Sequence, residues 1–337
     1  MPGRSEIQVS AVEHSHWDAL LAPFPDATVF HSLSWLNTVA ATHNLNIQLA
    51  RADVDGRCVG VWPCLWMRKG PLKVLGSPLP GWSTAYMGPL FADDADPNGV
   101  LRAFLDHKLF KRYAYFSCKV LNERRPVDMA AQGFSFVGKF DTYRVNTTLD
   151  ETAMWDNMKS ECRSRIRKAE KLGIEVRTET TPDFIDDYWQ MSIETFAKAN
   201  IQPTHNKQFL VELWKHLNPA KKLHVLAAYH EGDRVAMLVL PFDSHGMYYW
   251  GGASYLKHRD LPAHNLLHWH GMRDAKKFGL KGYDFISTFG GPGRFKKTFG
   301  PDTIEIATHW ERSPSKLMAA LKKRYESYLR KKQRVEA

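Results

Sequence analysis

The hydrophobic patterns of this chain run through one order of elements twice, and that repetition limits the available folds more than any single motif does. In the first half, helical spacing over 30–43 precedes strand-like runs at 47–52 and 58–67, with the turn sequence DVDG at 53–56 between them. A Gly/Pro-rich connection, GSPLPGWSTAYMGPLF, leads to a helix over 99–113 and strands over 114–120 and 134–148. The second half opens with a helix over 151–172, where Trp155, Met158, Cys162, Ile166 and Ala169 recur at steps of three and four. Helices over 182–199 and 205–217 follow, then a hairpin of strands at 223–229 and 234–242. A third strand at 246–252 passes through a loop at 253–262 into a helix ending near Phe278-Gly279, and a strand at 282–287 closes the run. A chain of 337 residues is long enough for two cores. The pattern predicts an α/β protein, helices and sheets in layers, of two halves spanning 1–150 and 151–312, followed by a basic C-terminal helix within 313–337.

With 44% hydrophobic and 24% charged residues the chain has enough apolar surface to fold, which excludes a disordered linker. No run approaches the roughly 18 apolar residues of a spanning helix, and the N-terminus MPGRSEIQVS lacks the apolar core of a signal peptide, so a cytoplasmic protein is expected. Cys58, Cys64, Cys118 and Cys162 have no pair spacing and read as reduced thiols. The net charge of +10 is uneven: residues 313–337 hold eight Lys or Arg against Glu326 and Glu336, which places +6 in the tail. Leu317, Leu321, Tyr325 and Tyr328 share one side of a helix over 314–332 whose other side is basic. Such a tail either solubilises the chain end or attracts phosphate, in tRNA, in a nucleotide-linked substrate or in the anionic head groups of an inner membrane.

Chemistry is suggested most by residues 246–287, read as strand, loop, helix and strand. A loop feeding a helix N-terminus offers free backbone N–H groups to an anion, and Arg259, His264 and Asn265 stand at that junction within SYLKHRDLPAHN. This order resembles the GNAT superfamily, in which the loop cradles the pyrophosphate of coenzyme A and the acceptor amine meets the thioester in a gap between the flanking strands. SYLKHRDLPAHN stands where that superfamily carries a glycine-rich signature. The resemblance narrows to Fem-type transferases through RSRIRKAEKLGIEV (163–176), GYDFISTFGGPGRFKKTFG (282–300), FHSLSWL (30–36) and YYWGGAS (248–254), and covers about residues 17–311. That group is related to the peptidyltransferases of peptidoglycan bridges and to CelD-like acyltransferases. The resemblance implies two tandem GNAT-like domains, mixed sheets flanked by helices, with the donor held by the second half. It also implies N-acyl transfer with no bound cofactor, acyl-CoA serving as co-substrate, or aminoacyl-tRNA in the peptidoglycan-bridge version.

Lys159, Arg163, Arg167 and Lys171 stand four residues apart, a cationic stripe whose mutual repulsion an anion would relieve and which Glu161 and Glu170 partly neutralise in a merely solvated face. Lys296 and Lys297 follow Gly290-Gly-Pro-Gly293, where glycines let backbone approach closely and a lysine supplies a point charge for phosphate or an oxyanion. Acyl transfer also moves protons, for which Asp284 in the closing strand, Tyr249 and Tyr283 are candidates, the tyrosines serving otherwise as core walls. The expected site is Lys296, Asp284 and Tyr249 for catalysis, Arg259, His264, Asn265 and Lys297 for the donor, and Trp35, Arg163, Arg167 and Trp250 for the acceptor.

Other patterns fail. His264 and His268 are four apart, but HNLLH lacks the glutamate of a metalloprotease helix, so no metal is expected. GFSFVGK (133–139) has Phe140 where a phosphate-binding loop needs a hydroxyl. With no G-x-S-x-G elbow, direct transfer is favoured over a covalent intermediate. The expected activity moves an acetyl or longer acyl group from acyl-CoA or a carrier to an amine of a cell-envelope or polysaccharide-related acceptor, a small molecule or one linked to a nucleotide sugar. Aminoacyl-tRNA is the second donor, disfavoured because the helical stretch before residue 223 lacks the sustained heptads of a coiled-coil arm. The rival from another class is a non-catalytic RNA- or membrane-binding protein that uses its basic tail, with peripheral membrane contact through 313–332.

Overall fold

A computed structural model of the chain describes residues 6–121, 126–197, 203, 205–288 and 290–313; the C-terminal helix expected within 313–337 lies almost wholly outside them. The first half runs β1 (Gln8–Ala11), α1 (His14–Leu21), α2 (Leu33–His43), β2 (Asn46–Val54), β3 (Arg57–Lys69), β4 (Leu72–Ser77), β5 (Leu90–Phe91), α3 (Pro97–Asp106), α4 (Lys108–Lys111), β6 (Tyr115–Leu121) and β7 (Ser135–Asn146). The second runs α5 (Glu151–Asn157), α6 (Ser160–Lys171), β8 (Glu175–Thr178), α7 (Phe184–Ala197), α8 (Lys207–Leu217), β9 (Leu223–His230), β10 (Asp233–Pro241), β11 (Gly246–Tyr248), β12 (Gly251–Ser254), α9 (Ala263–Lys277), β13 (Gly282–Asp284), α10 (Gly290–Lys297) and β14 (Asp302–Arg312).

Each half has its hairpin, β2–β3 and β9–β10, and both turn through two residues of positive φ, Asp55-Gly56 and Glu231-Gly232, as a type I′ turn requires. The near-continuous apolar run of β3 is explained by helices on both faces. Val61 and Leu65 pack in one core with Trp35 and Val39 of α2, while Trp62 and Cys64 pack in another with Phe104 and Phe110.

The large mixed sheet runs β1, β2, β3, β4, β6, β14, β7, β13, β11, with β5 on β3; the smaller runs β12, β10, β9, β8. The large sheet takes strands from both sides of residue 150. Its last strand in sequence, β14, lies between β6 and β7 of the first half, and β13 pairs with β7. The largest core is likewise shared: Phe30, Trp35 and Tyr86 pack with Tyr188, Phe209 and Tyr248.

Several elements differ from the sequence expectation. The helix over 151–172 is two helices, because Lys159 N–H turns away to donate to the Thr298 carbonyl at 2.8 Å and restarts the chain as the cap of α6. The helix over 99–113 divides at His107, whose ring accepts from Leu109 N–H. Gly290-Gly-Pro-Gly293 begins α10, and an added Cβ on Gly293 would stand 2.0 Å from the Thr288 carbonyl oxygen, the close approach expected of these glycines. β4 and β14 were not expected at all. The third strand of the second half divides at Tyr249-Trp250, and that break makes the site.

Candidate active site

β11 and β13 pair in parallel through Tyr248 and Asp284, and Tyr249 N–H donates to the Asp284 carbonyl at 2.7 Å as the final rung. The chain then leaves for the other sheet, where β12 pairs with β10. On the opposite arm, Ser287 N–H folds back to the Phe285 carbonyl at 2.7 Å, and Ile286 takes a φ of 65°. Two parallel strands thus diverge into a wedge, a cavity of about 470 Å³. Tyr249, Trp250, Phe285, Ser287 and Lys296 line it from the second half, Ser83, Thr84 and Ala85 from the first, and Tyr188 and His205 close one side.

Lys296 is buried on α10. Its Nζ donates to the carbonyls of Phe285 at 2.9 Å and Ser287 at 3.1 Å and lies 5.4 Å from the Tyr249 ring centre. Burial lowers its pKa to about 8, against an upward pull from Asp284. The ammonium is therefore held by neutral dipoles and faces the wedge. Tyr249 stays protonated, its hydroxyl pushed up to about 12 by burial, and its ring meets the edge of His268 at 4.5 Å. Tyr188 is buried and likewise raised.

Asp284 is not placed as a base. Its Oδ1 accepts from Thr142 Oγ1 at 2.6 Å and Ile286 N–H at 2.6 Å; its Oδ2 accepts from Arg144 Nε at 3.1 Å, Arg144 Nη2 at 3.0 Å and the Tyr86 hydroxyl at 3.2 Å. Five donors leave no lone pair for a substrate proton, and the carboxylate instead fixes the turn that carries the carbonyls of Phe285 and Ser287.

A second cavity, about 400 Å³, opens at the N-terminus of α9, where Arg165, Arg259 and Arg294 gather with His264 and Asn265. No side chain caps α9, so its first N–H groups are unclaimed by a cap. His264 is held neutral, lowered to about 4 by burial, and Asn265 donates to Cys162 Sγ at 3.5 Å. Pro292 and Lys296 of α10 line the wedge while Arg294 and Phe295 line this cavity, so one helix borders both. A larger groove of about 1020 Å³ lies elsewhere on the first half, among Glu6, Asp55, Asp96 and Asp106, and includes none of these residues.

The structure thus brings Lys296, Tyr249 and Trp250 to one cavity and Arg259, His264 and Asn265 to its neighbour. The other expected residues go elsewhere. Lys297 is exposed and lines neither cavity. Trp35 is fully buried in the shared core and reaches the site only by donating to Thr84 Oγ1 at 3.0 Å. Arg163 caps the end of α5, its Nη1 donating to the carbonyls of Asp156 at 3.0 Å and Met158 at 2.5 Å. Arg167 lies over the Trp155 ring at 5.4 Å. Tyr283 is buried and hydrogen-bonds His268 Nδ1 at 2.8 Å. Tyr188, His205, Ser83 and Thr84 were missed. The last two sit in a long irregular connection, the one signal that was available.

Residues 156–297 match the acetyltransferase (GNAT) domain family. Solved structures resemble the chain over nearly its whole length. FemX has 14% identity and a TM-score of 0.77, covering 93% of this chain and 99% of its own. L-PGS from Bacillus licheniformis has 14% identity and a TM-score of 0.56, covering 92% and 95%. A tandem GNAT protein from the clavulanic acid biosynthesis pathway has 12% identity and a TM-score of 0.55, covering 92% and 100%. No curated protein matches by sequence. Residues 156–297 thus carry an acetyltransferase (GNAT) domain, and the diverging parallel strands and the uncapped helix beside them lie within it. The domain match marks an acyltransferase, and the chain as a whole has the fold of FemX. No helix among the described residues is long and apolar enough to cross a membrane.

Proposed function

We propose that the chain transfers an acyl group from acyl-CoA to an amine, with the pyrophosphate at the N-terminus of α9 and the thioester in the wedge. The observation that carries this is the pairing of the two cavities across α10: three arginines and an uncapped helix end on one side, a buried ammonium on the other. The amine nitrogen attacks the thioester carbonyl, a C–N bond forms, and the C–S bond breaks as the tetrahedral intermediate collapses. The amine gives up one proton to solvent and the departing thiolate takes one. The Lys296 ammonium steadies the oxyanion, and binding both partners in one enclosure supplies the proximity.

In this reading residues 151–312 hold the donor and the first half contributes an acceptor wall through Ser83, Thr84 and Ala85. A cell-envelope or polysaccharide-related acceptor is inferred from the Fem-type likeness, and acyl-CoA as donor puts the reaction in the cytoplasm. Calorimetric titration with coenzyme A and acetyl-CoA tests it. Saturable binding weakened by Arg294→Ala and Arg259→Ala is expected; no binding at millimolar ligand would exclude acyl-CoA and bring aminoacyl-tRNA forward.

A further inference from the structure

The charges around the wedge narrow the acceptor. Among the described residues that line it, Lys296 is the sole ionic side chain, and the walls are aromatic: Tyr188, Tyr249, Trp250 and Phe285. Asp284, behind the turn, has its oxygens engaged by Arg144, Thr142, Tyr86 and the Ile286 amide.

The remaining titratable neighbours are also of the wrong sign or neutral. Burial lowers His205 to about 4 and His268 well below its usual range, so both are uncharged near pH 7. Tyr188 and Tyr249 are raised and stay protonated. Behind Thr84 and Ala85 stands a second cation, Lys119. An ammonium entering the wedge would leave water, meet Lys296 and find no acidic side chain in the wall, the nearest carboxylate, Asp284, being paired with Arg144 behind the turn. The face of Tyr249, a natural partner for a cation, already carries Lys296. A like charge about 5 Å away at an effective dielectric near 20 disfavours the protonated form by roughly two pKa units, about 100-fold.

We infer that the acceptor binds as the free base, and that the wedge selects weakly basic amines, such as those of amino sugars or α-amino groups, over alkylamines. This rests on the acyl-transfer reading above. α-Amino groups have pKa values near 8 and lysine-type amines near 10.4, so they differ by more than two orders of magnitude in free base at neutral pH.

The test uses the full chain saturated with acetyl-CoA and a graded series of primary amines: trifluoroethylamine, glycinamide, benzylamine and butylamine. Between pH 5.5 and 7.5, below the titration of Lys296, KM for each amine whose own pKa lies above the assay pH should rise about tenfold per pH unit lost while kcat holds. Butylamine used at pH 7 with a KM like that of glycinamide, or a fall carried by kcat at constant KM, would overturn the proposal by showing that the ammonium binds and is deprotonated in place. Donor binding shown calorimetrically with no transfer to any amine would overturn the acyl-transfer reading itself.

Discussion

Lys119, behind one wall of the wedge, and Lys296, within it, hold their loops in the same way from the two halves. Lys119 Nζ donates to the carbonyls of Ala85 at 2.9 Å and Thr84 at 3.5 Å and lies 4.5 Å from the Phe140 ring; Lys296 holds the carbonyls of Phe285 and Ser287 beside Tyr249. Each lysine clamps the loop that forms its wall.

Burial lowers both to about 8 from 10.5. Between those values the unfolded chain binds more protons than the folded one, so folding stability rises with pH across the window from 8 to 10.5 and is lower, and flat, beneath it. Each lysine contributes at most about 3 kcal/mol to that rise, less where solvent screens it. The urea midpoint should climb between pH 8 and 10, and Lys119→Met should reduce the slope. A slope unchanged in this variant would show that Lys119 carries its normal charge.

Asp284→Asn should act on stability and turnover together. The change keeps the shape but removes the charge that Arg144 needs and turns one acceptor oxygen into a donor. Breaking a buried pair this way costs about 3–5 kcal/mol. The turn at 285–287 should loosen its hold on Lys296, so kcat falls while affinity for coenzyme A is retained. Full kcat in a folded Asp284→Asn protein would remove the carboxylate from the positioning of Lys296.

The repeated hairpins were legible because DVDG and HEGD specify tight turns between apolar runs, a local signal. So were Lys296 beside its glycines and the 253–265 junction, where chemistry and turn residues coincide in a short stretch. β14 was not read although Ile304 and Ile306 alternate with polar neighbours, since its partners β6 and β7 lie more than 150 residues back and their pairing is non-local. Arg163 looked functional for its place in the cationic stripe, and Trp35 for the motif FHSLSWL that holds it. What decided their roles, the open carbonyls at the end of α5 and the core shared by both halves, is set by tertiary packing.

Arg163 and Arg294 should separate structure from binding. Arg163→Ala frees the end of α5 and should cost about 1–2 kcal/mol in urea unfolding, with coenzyme A affinity unchanged. Arg294→Ala, an exposed residue beside α9, should leave stability within about 0.5 kcal/mol and weaken coenzyme A roughly tenfold at low salt, the loss shrinking as salt rises. The opposite assignment of effects would return Arg163 to the binding site.

Gly251 shows why a glycine pair follows Trp250. An added Cβ there would stand 2.3 Å from the Tyr188 hydroxyl oxygen, whereas the ring carbon that bears it is 3.6 Å away. The clash is with a single atom. Gly251→Ala alone should force Tyr188 off its place in the wedge wall, costing about 1–3 kcal/mol and lowering turnover. Tyr188→Phe deletes the offending oxygen and leaves the ring, so the double variant should recover most of that stability. A double-mutant cycle by urea unfolding should therefore give a coupling above about 1 kcal/mol. Simple additivity would mean that the backbone of β12 moves instead, and that the wedge is held open by something other than the contact between these two residues.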